Sequence, residues 1–136
     1  MTEKRVTTIE KEVPSVAEST KETWQYWYRA IVDHNHDGDT VTLTTDMGRR
    51  VMIGPEPIRF YRINCPELSQ PGGAEARDYV KSVLKHGDII SIRTYLDRDD
   101  KFGRLLADVY VKDEHGETYC LNDALVKTGH AVYKDY

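Results

Sequence analysis

Between Asp39 and Thr45 threonine alternates with Val41 and Leu43, the period-two pattern of a strand with one buried face. Trp24 to Val32 is rich in aromatic and β-branched residues and reads as a strand before it. Arg49 to Ile53 and Ile58 to Ile63 are strand pieces after it. Gly54-Pro55-Glu56-Pro57 separates them and is expected to be a bulge or loop, because prolines cannot donate into a central ladder. Asp88 to Leu96 and Arg104 to Lys112 complete the strands. The segments between them carry turn chemistry: His34 to Gly38, Asp46-Met47-Gly48, the loop Asn64 to Gly73, the charged turn Asp97 to Gly103, and Glu114-His115-Gly116.

The spacing changes at Ala74. Ala76, Tyr79, Val80, Val83 and Leu84 fall on one face at helical period, which predicts a helix to His86 with Gly87 as its stop. Asn122 to Thr128 predicts a short second helix ended by Gly129. Before the first strand the chain is polar, with no strong period and with Pro14 against any long helix. Residues 1–23 are therefore expected to be a flexible extension, with at most a short helix at Ser15 to Thr23, and residues 24–136 the folded domain. Four or five antiparallel strands, one helix between the third and fourth and one after the fifth, define an α+β, mainly β class. The order is that of an OB-fold, a five-stranded Greek-key barrel with two helices, whose strand faces and loops often hold oligonucleotides.

At 136 residues the chain suits one domain with one core. Its net charge of −4 argues against a broad electrostatic footprint on nucleic acid. A small basic site is still open to it, since Arg49, Arg50, Arg59, Arg62, Arg93 and Arg104 lie mid-chain while the acids crowd the N-terminal segment and Asp113 to Glu117. Cys65 and Cys120 have no metal-type spacing and read as free thiols. No signal peptide is visible and no stretch nears the ~18 apolar residues of a membrane span, so a soluble protein, cytoplasmic or otherwise intracellular, is expected; a monomer is expected as well.

Charged chemistry is spread over three segments: Asp37-Gly38-Asp39-Thr40, Arg59 with Asn64-Cys65-Pro66-Glu67, and Lys101-Phe102-Gly103-Arg104. Asp33, Asn35, Asp37 and Gly38 imitate the start of an EF-hand loop, but Thr44 stands where a bidentate Glu is required and the flanks are strands. That reading fails. If the strands are neighbours, Asp39, Asn64 and Glu67 converge at one rim, where Asp39, the Asn64 amide oxygen and the Cys65 backbone carbonyl offer part of the oxygen shell of a hard cation such as calcium. Asp39 and Asn64 read equally as plain turn residues. Arg59 in an apolar strand either pairs with a carboxylate or reaches to the edge, and Arg104 after Gly103 either binds phosphate or is simply solvated. Glu67, ionised beside cations, is able to take or orient a water's proton, or is a surface acid. Scattered His34 and His36 make a poor metal pair. A cation, a carboxylate and two arginines suffice to cut a phosphodiester.

These segments, in this order, resemble the staphylococcal (micrococcal) nuclease family from about Tyr28 to Val132. The match also includes Ile58-Arg59-Phe60, Glu75-Ala76 on the helix, and Leu121-Asn122-Asp123-Ala124-Leu125-Val126 before Gly129. The resemblance implies calcium-dependent cleavage of DNA and RNA leaving 3′-phosphates. In that reading Asp39 is a calcium ligand, Glu67 activates water, and Arg59 and Arg104 hold the phosphate and the charge on five-coordinate phosphorus. Two departures stand out. Asn64 occupies the place of a second aspartate ligand, which implies weaker calcium binding. The sequence stops seven residues after Gly129, so the family's third, C-terminal helix is expected to be missing; the surface it would cover then stays open or is covered, with Trp24 to Tyr28 and the extension as candidates. The competing reading is a catalytically silent nucleic-acid- or protein-binding module on the same fold.

Overall fold

The computed structural model describes residues 25–99 and 104–134. The extension at residues 1–23, Trp24 and Lys101-Phe102-Gly103 lie outside the described residues. The strands are β1 (Gln25–Asp37), β2 (Thr40–Asp46), β3 (Met52–Phe60), β4 (Ile63–Asn64), β5 (Ile89–Asp99), β6 (Leu105–Lys112), β7 (Thr118–Cys120) and β8 (Val132–Tyr133). The helices are α1 (Gly73–Val83) and α2 (Leu121–Lys127).

Strands run in the order β3-β2-β1-β5-β6-β7, and a parallel pairing of β3 with β6 closes the first five into a barrel. The other pairings in that sheet are antiparallel. The expected α+β barrel with two helices is therefore what the described residues form. Its inner face follows the alternation: Ala30 and Val32 of β1, Val41 and Leu43 of β2, Ile58 and Phe60 of β3, Ile92 of β5 and Val109 of β6 are buried in one core. Helix α1 adds Ala76 and Val80 to it, and α2 adds Leu121 and Leu125. Gly129, at φ 85°, ends α2 as expected, with His130 N–H donating to the Leu125 carbonyl.

Four expectations need correction. Strand β1 does not turn at His34 but continues to Asp37 through two register irregularities, after Val32 and after Asn35. Asn35 is buried there because its Nδ2 donates to the carbonyls of Asp37 and, at 3.2 Å, of Arg77 on α1. Strand β3 runs unbroken through Pro55 and Pro57, because between Met52 and Pro57 it pairs only with β2 and so needs no donors on its other side. The bulge is real: Gly54 and Pro55 together face Thr44 alone. Strand β5 extends to Asp99, into what was expected to be a turn. Helix α1 ends at Val83, short of His86, because Leu84 is extended and buried; Gly87 instead turns the chain toward β1, its N–H donating to the Val32 carbonyl.

Candidate active site

One rim of the barrel gathers the candidate residues because three chain segments meet where β3 closes on β6. Arg59, near the end of β3, lies opposite Thr40 on β2 and Leu106 on β6. The turn Gly38-Asp39 precedes β2, and Asn64 and Cys65 follow the short β4. Asp39 and Arg59 are both buried, at 6% and 7% exposure, which makes a solvated surface pair untenable.

The contacts are specific. Arg59 Nη1 lies 2.5 Å from Asp39 Oδ2 and also donates to the Asp39 carbonyl at 3.3 Å. Its Nη2 donates to Asn64 Oδ1 at 2.9 Å. The Cys65 N–H donates to Asp39 Oδ2 at 2.8 Å, and the Asp39 N–H to Asp37 Oδ1 at 3.2 Å. Arg104 Nη1 donates to Thr40 Oγ1 at 3.2 Å, placing a second guanidinium beside the Asp39 turn. Asp39, Arg59, Asn64, Cys65 and Arg104 are therefore one constellation. Glu67 stands two residues beyond Cys65 on an exposed loop, where its N–H donates to Gln70 Oε1 at 3.2 Å.

Burial pushes the Asp39 carboxyl up to about 6, outweighing Arg59 and the Cys65 N–H, which pull it down. A further positive charge beside this buried carboxylate would pull the carboxyl back down. Asp39, the Asn64 amide oxygen and the Cys65 carbonyl are hard oxygen donors, so the residues fit an oxygen-seeking divalent cation in kind. Burial and the neighbouring Asp39 carboxylate push the Cys65 thiol up to about 12, so it is protonated and does not serve as a thiolate ligand. Among the described residues no group of three or more His, Cys, Asp or Glu side chains is placed to hold a metal ion. Any cation here relies on amide and backbone oxygens and on water.

From the sequence Thr40 stands out only as part of the Asp37 to Thr40 segment; it takes part through Arg104, and its hydroxyl lies 3.5 Å from Asp39 Oδ1. Asn35 stands out only within the rejected EF-hand reading, and its distant partner is the Arg77 carbonyl. Gln70 and Gly73 do not stand out, since their partners are backbone atoms.

The sequence of this chain matches known proteins. Residues 57–136 fit the family described as staphylococcal nuclease homologue. The chain is also 34% identical, over 115 residues, to the protein named Endonuclease YhcR of Bacillus subtilis (strain 168). That match covers 76% of this chain and 9% of the relative, so the chain spans a small part of that protein's length. The protein belongs to the staphylococcal nuclease homologue family.

Proposed function

We infer that the chain is a nuclease that hydrolyses phosphodiester bonds of DNA and RNA with the help of a divalent cation, calcium in the first instance. The observation that supports this most is geometric: the Asp39 carboxylate is buried against Arg59, Asn64 shares the same guanidinium, and Arg104 stands one residue away through Thr40. Structural ion pairs seldom come with a second guanidinium on the same rim.

Asp39, Asn64 and the Cys65 carbonyl would hold the cation, which when bound supplies positive charge to the phosphate and to the attacking water. Glu67 accepts the proton of that water. Arg59 and Arg104 donate to the non-bridging oxygens and stabilise the charge that grows as phosphorus becomes five-coordinate. The bonds of Arg59 to Asp39 and Asn64 fix the plane of its guanidinium, so little reorganisation is left for the reaction.

The test is degradation of single-stranded DNA, duplex DNA and RNA with calcium, with magnesium and with chelator, beside a Glu67→Ser/Arg104→Ala double variant. Calcium-dependent cleavage that disappears in the variant supports the reading. Nucleic-acid binding without cleavage under any metal would replace it with the silent binding module.

A further inference from the structure

Helix α1 supplies none of the charged groups of the rim, yet both halves of the site rest on its first turns. Gly73 is buried and opens the helix. A Cβ placed there would overlap the Glu67 carbonyl oxygen, and would lie 2.6 Å from the Glu67 carbonyl carbon and 2.9 Å from Leu68 Cα. These are backbone atoms, which cannot swing aside as a flexible side chain does. The turn is closed by hydrogen bonds as well: Gln70 N–H donates to the Glu67 carbonyl at 2.9 Å, Glu67 N–H to Gln70 Oε1, and Gly73 N–H to the Gln70 carbonyl at 3.0 Å. One helical turn on, Ala76 meets the other half. A Cβ on Gly38 would lie 2.7 Å from Ala76 Cβ and 2.9 Å from Cys65 Sγ. The Arg77 carbonyl accepts from Asn35, just before the Asp37-Gly38-Asp39 turn.

We propose that the first two turns of α1 are the template that fixes Glu67 relative to Asp39, with Gly73 and Gln70 as positioning residues for Glu67 and Gly38 as the positioning residue for Asp39. The inference rests on the nuclease reading for its kinetic consequence, but its geometric content stands apart from it. On helix propensity alone, Gly73→Ala would favour the helix. The contact geometry says instead that it drives the Glu67 backbone away by an ångström or more. A displacement of ~1 Å in a reacting group costs about 100-fold in rate.

The experiment compares the wild type with Gly73→Ala, Gln70→Ala, Gly38→Ala and the exposed-surface control Lys81→Ala. It reads kcat and KM on a single-stranded DNA oligonucleotide with calcium, calcium affinity by calorimetry, and backbone amide spectra. Gly73→Ala should lower kcat about 100-fold, leave KM and calcium affinity in place, and shift the Glu67 and Leu68 amide signals while those of Val41 and Ile92 hold. Gly38→Ala should do the converse, weakening calcium binding. Gln70→Ala should lower kcat about fivefold through its lost hydrogen bond, and Lys81→Ala should change nothing. A folded Gly73→Ala protein with full kcat, with a raised KM alone, or with unmoved Glu67 and Leu68 signals overturns the proposal. Should Gly73→Ala not fold, an unchanged kcat in Gln70→Ala overturns it. If the wild type cleaves nothing, the nuclease reading fails, and the amide shifts still decide whether Gly73 places Glu67.

Discussion

Asp108 on β6 and Asp39 before β2 are both buried acids beside arginine, but they are neutralised to different degrees. Asp108 is fully buried, and its Oδ1 accepts from Arg62 Nη2 at 2.9 Å and from Asn122 Nδ2 at 3.2 Å. Its Oδ2 lies 3.1 Å from Arg93 Nη2. Arg93 is itself stacked over Trp27 and Tyr110, and Arg62 also bonds Asp123. Two guanidiniums and an amide close that cluster. Asp39 Oδ2 takes one guanidinium and one N–H, its Oδ1 the Thr40 hydroxyl at 3.5 Å, and burial still pushes the carboxyl up to about 6. On the proposed reading the difference separates a joint from a site: a carboxylate met by two guanidiniums holds strands together, while one met by a single guanidinium has room for a cation beside it.

The largest effect that tests this contrast is on stability. Asp108→Asn should cost about 3–5 kcal/mol in urea unfolding, because the half-buried Arg62 and Arg93 lose the buried counter-charge they share. Asp39→Asn should cost less at pH 7. The sign follows from linkage: a carboxyl raised above its unfolded value contributes stability below pH 4 that is lost as pH rises through about 6, so at pH 7 the charged form is already a burden that Asn removes. Equal losses for the two variants would erase the distinction.

Next in size is Arg104→Ala, expected to lower kcat about 10²–10³-fold with a stability change within about 1 kcal/mol. A large drop in melting temperature instead would make Arg104 a second joint. Smallest is Asn64→Asp, which restores a negative ligand charge and should tighten calcium about tenfold by calorimetry. Unchanged affinity would show that Asn64 serves only Arg59.

The contrast also marks what the sequence could reveal. Strand β2 was legible because Thr40 to Thr45 alternates strictly, and α2 because Gly129 punctuates it. The meeting of Asp39 and Asn64 was legible because each stands at a strand end, whereas Arg59, which bridges them, offered from the sequence only a choice between a carboxylate and the edge. The run of β1 through His34-Asn35-His36-Asp37 was not. Those residues spell a turn locally, and the carbonyl that satisfies Asn35 belongs to Arg77, on another element. Nor was β3 through its prolines, since being unpaired on one side is a property of the assembled sheet. Asp108 did leave a trace, a lone acid between Leu105-Leu106-Ala107 and Val109, but its partner Arg62 adopts φ 69°, which nothing in the residue type announces. The role of Gly73 was hidden for a related reason. Its φ is ordinary, so the need for glycine comes entirely from the Glu67 backbone against it.

The central claim is that the Asp39 carboxylate, left short of positive charge, is the seat of cation-dependent cleavage. Its most direct test is cleavage of a single-stranded DNA oligonucleotide by the wild type and by Asp39→Asn, each with calcium and with chelator. The account predicts cleavage by the wild type with calcium only, and none by a folded Asp39→Asn protein. Cleavage that survives the chelator, or that Asp39→Asn performs at the wild-type rate, would contradict it.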